Sequence, residues 1–238
     1  MRAILAAFVA VTTLLVGTPA DAAPRPSTGF VLDPATKPYG HTFGEWSARW
    51  WQYMFSIPAD RNPLTDLTGR RCGVGQSGRV FFLGAELDHF GKVNRTCRLS
   101  SRDAIFFPII NCKNDNTAPV GSEPTPPLTY EKLLEGCQNA IKGVADLGAE
   151  LDDKPIPGLK LGSPNHAAAP AFRVRVPDNN LLQVIEKADA PGGQTISPMA
   201  ADGVYAMLRP LRRGKHKLHF HARQGTDVLD VTYTLRVR

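Results

Sequence analysis

The chain has 238 residues, 42% of them hydrophobic, with 28 Lys and Arg against 22 Asp and Glu. That is enough apolar material for one large domain or two small ones, and the net charge of +6 favours acidic partners. Past the first residues no run reaches the ~20 apolar residues of a membrane span, and a phosphate loop, a dinucleotide fingerprint and a CxxC motif are all missing.

The N-terminus reads as a secretory signal over residues 1–22. Arg2 supplies the charge, Ile4 to Val16 the apolar stretch, and Ala20-Asp21-Ala22 the cleavage site. No Cys follows that site, so a lipid anchor is not expected, and the mature protein is secreted or periplasmic. Cleavage removes Arg2 and Asp21 together, so the positive excess persists. Residues 23–41 are rich in Pro, Thr and Ser and read as extended, with a short strand at Phe30-Val31-Leu32.

An aromatic helix follows over 42–57. Thr42 and Glu45 form a capping box and Pro58 ends the helix. All three tryptophans lie in it. Trp46, Trp50, Tyr53, Met54, Phe43 and Ile57 share one arc at helical spacing, and Trp51, Phe55, Gly44 and Ala48 share a second. Glu45, Arg49 and Gln52 make a narrow polar strip, with Glu45 and Arg49 spaced for an ion pair. The first arc reads as core. Trp51 and Phe55 are either a ligand-contacting pair or a second buried contact under the loop that carries Cys72.

Turn chemistry from Ala59 to Gln76 leads into strands at Val80-Phe81-Phe82-Leu83, Arg95 to Leu99 and Ala104 to Ile110. The last is apolar on both faces, a central strand that ends or bulges at Pro108. Four cysteines, Cys72, Cys97, Cys112 and Cys137, imply disulfides in an exported chain. Of three connectivities, Cys72–Cys97 with Cys112–Cys137 closes local loops worth about 3 kcal/mol each in the chain-entropy model.

A second helix is expected over 129–151, with Cys137 on its apolar stripe beside Tyr130, Leu133, Leu134, Ile141, Val144 and Leu151. Beyond Lys154 the pattern is β: Ala171 to Val176, a turn at Pro177-Asp178-Asn179-Asn180, Gly203 to Leu208, and a closing hairpin. There His216, Leu218 and Phe220 face inward, and Lys215, Lys217, His219 and His221 outward. The fold is mainly β with two helices (α+β), an antiparallel sandwich of immunoglobulin-like or jelly-roll-like type over residues 42–238.

The motif order resembles a family of uncharacterised exported bacterial proteins. It rests on Gly44-Glu45-Trp46-Ser47, Trp50-Trp51-Gln52, Asn62-Pro63, Cys72, Gly75-Gln76-Ser77-Gly78, Phe106-Phe107-Pro108-Ile109, Pro177-Asp178-Asn179-Asn180 and Gly214-Lys215-His216-Lys217-Leu218-His219-Phe220. It covers nearly the whole mature chain and implies no activity. His221 departs from a Gly more usual at that place in the family.

Chemistry-bearing residues are sparse. Arg209, Arg212, Arg213, Lys215, Lys217 and Arg223 crowd the final hairpin and offer a surface for an acidic glycan or cell-surface polymer. Nucleic acid is not the expected partner. His219 and His221 have a spacing that can chelate zinc or copper, with Asp230 expected opposite His219. Lys215 and Lys217 on the same face oppose a cation, so no metal or cofactor is expected. Glu45, Asp66 and Asp103 are acids without a paired carboxylate, and Ser77 lacks a nucleophile elbow. The reading is a non-catalytic binding or structural module; its rival is a secreted hydrolase with a site between the aromatic helix and the sandwich.

Overall fold

A computed structural model describes residues 29–85, 91–123 and 125–238; residues 1–22, read above as a secretory signal, fall outside them. The elements in order are α1 (Phe43–Phe55), β1 (Val80–Phe82), β2 (Gly91–Leu99), β3 (Ala104–Asn114), α2 (Tyr130–Ile141) and β4 (Val144–Leu151). There follow β5 (Lys154–Pro155), β6 (His166–Ala168), β7 (Phe172–Arg175), α3 (Leu181–Val184), β8 (Thr195–Leu208), β9 (Gly214–Gln224) and β10 (Asp227–Val237). One sheet runs β1-β3-β8-β6 with β7 also on β8; the other runs β2-β10-β9-β4-β5. The chain is therefore a mainly β, sandwich-like α+β fold. Both sheets are mixed, since β1 lies parallel to β3 and β2 parallel to β10; the other pairings are antiparallel, as expected.

The first sheet is buried on both faces. Ala104 to Ile109 of β3 and Met199 to Leu208 of β8 are all buried. On one face Phe106, Tyr205 and Met207 pack with Phe43, Trp46, Trp50 and Met54 of α1. On the other, Ile105, Phe107, Ile109, Val204 and Leu208 pack with Leu218, Phe220, Val231 and Tyr233 of the second sheet. The result is three layers: helix, sheet, sheet. The bulge foreseen at Pro108 is present, as a register shift between Pro108 and Ile110.

The Thr42–Glu45 capping box is formed, with Thr42 N donating to Glu45 at 2.7 Å. Arg49 does not pair with Glu45; its guanidinium lies 5.6 Å from the Trp46 ring centre. The second helix stops at Ile141, ten residues earlier than the spacing predicts, and 144–151 is a strand. The helix is capped at Lys142, and Val144 and Leu151 fit a helical period without belonging to a helix. In β4, Gly148 sits opposite His221, whose ring leaves only 2.4 Å for an added Cβ.

Gly44 is where α1 touches the first sheet, and a Cβ there meets the Ala168 carbonyl oxygen at 2.2 Å. Helix propensity alone favours alanine by about 1 kcal/mol. We expect the contact to win: Gly44→Ala lowers unfolding free energy by about 2 kcal/mol. Denaturant titration checks this, and a stabilised variant contradicts the packing.

Candidate functional site

The final hairpin forms with a two-residue turn, Gln224 opposite Asp227. This shifts the register by two from expectation: Asp230 stands across from His221, not His219. A shift of two leaves every side chain on its face. Leu218, Phe220, Val231, Tyr233 and Leu235 are buried and the intervening residues face water.

The parallel pairing of β2 with β10 adds residues that the hairpin alone does not reveal. Arg98 lies beside Arg236, and Arg236 opposite Lys215. Three exposed cations thus stand in one row across three strands, about 5 Å apart. Like charges directly opposite repel, and none of the three forms an ion pair among the described residues. The next rows are Thr96, Thr234 and Lys217, then Asn94, Thr232 and His219. Of the six basic residues singled out in the sequence, Arg209, Arg212, Arg213 and Lys215 are exposed and without an ion pair among the described residues. Lys217 reaches Asp153 at 3.4 Å and Arg223 reaches Asp146 at 2.5 Å. Sequence reasoning missed Arg98 and Arg236; strand register was the signal needed.

His219 and His221 stack with ring centres 5.4 Å apart. His219 reaches Asp230 diagonally at 3.0 Å and Glu150 at 3.5 Å, and His221 lies 3.9 Å from Asp146. Among the described residues no group of three or more His, Cys, Asp or Glu is disposed to hold a metal ion.

His216 is no core histidine. It faces inward at the sheet's edge, with Nδ1 2.7 Å from Asp152 Oδ2 and Nε2 2.9 Å from the Arg212 carbonyl. Both ring nitrogens face acceptors, an arrangement that the imidazolium, a donor at both, satisfies in full. Burial opposes the charge, but Asp152 and the Arg212 carbonyl outweigh it and raise the His216 pKa. For Asp152 burial is likewise outweighed, by bonds from His216 and the Lys217 N–H, and its pKa is lowered. The pair ties the Arg212-Arg213 turn to the β4–β5 turn.

Trp51 and Phe55 are buried, not a surface platform; Trp51 is 2% exposed and Phe55 0%. The Cys72 loop does not cover them. It closes over the first arc, where the Tyr53 hydroxyl donates to the Val74 carbonyl at 2.7 Å. Phe55 is covered by Lys113, whose ammonium lies 5.3 Å from the ring centre. Cys72 and Cys97 are bonded. Cys112 and Cys137 lie side by side as expected, but as free thiols.

The junction of α1 with the first sheet is filled by side chains, leaving a groove at its rim lined by His41, Glu45, Arg49, Gln52, Arg173 and Ser197. Its polar groups are partly committed: Glu45 holds the helix cap, and Gln52 donates to the Arg173 carbonyl at 3.1 Å. Asp66 accepts from Thr68 and Arg71, and Asp103 from the Ser100 N–H. The three candidate acids all serve local backbone.

The raised His216 pKa gives a definite pH dependence. The contribution of this histidine is complete below its unfolded value of about 6.5 and is lost as pH rises through the higher folded value. Asp152 contributes above its unfolded value and loses that as pH falls through its lowered folded value. Unfolding free energy should therefore drop by on the order of 1 kcal/mol between about pH 5.5 and about pH 9. His216→Gln removes that drop, as denaturation at the two pH values will show.

Comparisons with known protein families, with curated proteins and with solved structures find no match to this chain.

Proposed function

We propose that the protein is a secreted, non-catalytic binding module whose second sheet recognises an acidic glycan or cell-surface polymer. The observation that carries this reading is the row Arg98–Arg236–Lys215, aligned across three strands without carboxylate partners among the described residues. A folded protein gains nothing in stability from such a row. A linear polyanion lying across the strands would meet a cation about every 5 Å, with Arg212 and Arg213 in the turn that leads into β9. The threonines and Asn94 of the neighbouring rows supply hydrogen-bonding groups to sugar hydroxyls. Cys72–Cys97 is consistent with an oxidising compartment, and no helix among the described residues is long and apolar enough to cross a membrane. The filled junction beneath α1 and the local duties of Glu45, Asp66 and Asp103 favour this module over the hydrolase.

Heparin and polygalacturonate titrations test the reading. Binding should weaken steeply with salt. The double variant Arg98→Glu/Arg236→Glu should lose at least about tenfold in affinity, while Arg61→Glu on the helical side changes it less than about twofold. Arg236→Thr should weaken binding without loss of stability, because it relieves repulsion. Salt-independent binding, or equal losses at Arg61 and Arg236, would reject the proposal.

A further inference from the structure

The chain holds two cysteine pairs in different states. Cys72 and Cys97 are joined, with an S–S distance of 2.05 Å. Cys112 and Cys137 lie side by side as free thiols. The second pair is asymmetric in its access to solvent. Cys137 lies on the inward face of α2, 0% exposed, with Sγ 3.9 Å from the Ala200 carbonyl. Cys112, half-buried at the end of β3, lines a cavity of about 410 Å³. A molecule arriving from solvent meets Cys112 first and reaches Cys137 only through it. This is the order of attacking and resolving thiols in disulfide exchange.

The same cavity has donors to spare. Trp51 lines it while 2% exposed, and its Nε1–H is buried without a hydrogen-bond partner among the described residues. The Nδ2 of Asn111, also in the wall, is likewise buried and unpartnered. Buried donors without acceptors are rare and costly, and two on one wall fit a ligand that brings carbonyl or carboxylate oxygens. Ile141 and Leu229 supply apolar wall. Lys113 also lines the cavity, its ammonium bound by Asp115 at 2.7 Å and Glu186 at 2.6 Å, which line it as well.

We propose that this cavity is a thiol–disulfide exchange site in which Cys112 attacks a small organic disulfide bearing carbonyl or carboxylate groups and Cys137 resolves the product. In the first step the Cys112 thiolate forms a bond to one sulfur of the disulfide, and the other half leaves as a thiolate. In the second, Cys137 gives its proton to a departing thiolate and attacks the Cys112 sulfur, releasing the second half. The protein ends with one disulfide and the external disulfide as two thiols, so two electrons pass from protein to ligand. The contact between the thiols prepares the order. The neighbouring Cys137 thiol lowers the Cys112 pKa, helped by Lys113 and opposed by burial, Asp202 and Glu186. The nearness of Cys112, together with burial, raises the Cys137 pKa strongly. Once Cys112 is in the mixed disulfide, Cys137 no longer faces a thiolate and is free to attack.

Glutathione disulfide added to the full chain, reduced at Cys112 and Cys137 with Cys72–Cys97 intact, tests this by intact mass and peptide mapping. Cys137→Ser should accumulate one glutathione on Cys112. The wild type should pass to an internal disulfide retaining none, and Cys112→Ser should react at least about tenfold more slowly. Trp51→Phe should slow adduct formation while leaving the thiol titration of Cys112 unchanged. If Cys137→Ser does not fold, acid quenching of the wild type at early times locates the first adduct. Glutathione first on Cys137, or a Cys112→Ser chain that reacts as fast as the wild type, would overturn the proposal. So would a Cys112–Cys137 bond that glutathione buffers cannot open without opening Cys72–Cys97.

Discussion

Strands β3 and β8 have no face to give to water, and the rest of the architecture answers that constraint. On one side Phe106 stacks on Tyr205 with ring centres 5.3 Å apart, and α1 lies over both. On the other, Phe107 meets Phe220 at 5.2 Å, and the second sheet closes the core. Two apolar faces need two covers, since exposing either would forfeit about 25 cal/mol for every Å² of apolar surface. The unusual breadth of the α1 apolar surface follows from this. The helix beds one arc on the sheet and has the other closed by the segment around Lys113. Its three exposed polar residues, Glu45, Arg49 and Gln52, form a strip along the remaining side.

The second sheet inherits the opposite condition. One of its faces fills the core and the other is wet, so its strands alternate cleanly. Side chains on the wet face carry no packing duty and are free to hold charge. That freedom does not explain a row of three uncompensated cations, because random charge on a sheet gains by pairing across strands. Elsewhere on the same face the pairing rule is followed: Arg223 has Asp146 and His219 has Asp230. The end of the sheet carrying Arg98, Arg236 and Lys215 breaks it. The turn holding Arg212 and Arg213 is fastened beside that end by the His216–Asp152 bond, which fixes backbone where a loop of like charges would otherwise splay.

Local signals read well here. The capping box, the bulge at Pro108, the alternation of the last two strands and the Cys72–Cys97 pairing all depend on residues close in sequence or on a strict period. What escaped was set by tertiary contact. Strand β4 imitates a helical continuation because Val144 and Leu151 are seven residues apart, and only the break after Lys142 separates the two readings. Strands β2 and β10 are parallel and far apart in the chain, so the Arg98–Arg236 juxtaposition has no local trace. Helix α3 is four residues long, too short for periodicity, though its Asn180 cap lies in the turn that was foreseen. Sequence proximity points to the Cys72 loop as the cover of the Trp51–Phe55 arc; Lys113, from the far end of β3, lies over Phe55 instead.

The three tryptophans show why burial is a poor guide to role. All are buried, at 7%, 1% and 2% exposed for Trp46, Trp50 and Trp51. Their indole N–H groups differ. Trp46 donates to the Pro38 carbonyl at 2.9 Å and Trp50 to the Leu83 carbonyl at 2.8 Å, each tying the helix to a neighbouring segment. Trp51 donates to nothing among the described residues. A core position would be better filled by Phe or Leu than by an indole with an orphaned donor. Trp46 and Trp50 are explained by the fold that they hold together. Trp51 is explained only if something outside the fold completes it, and the cavity wall that it shares with Asn111 and Cys112 is where that partner would have to sit.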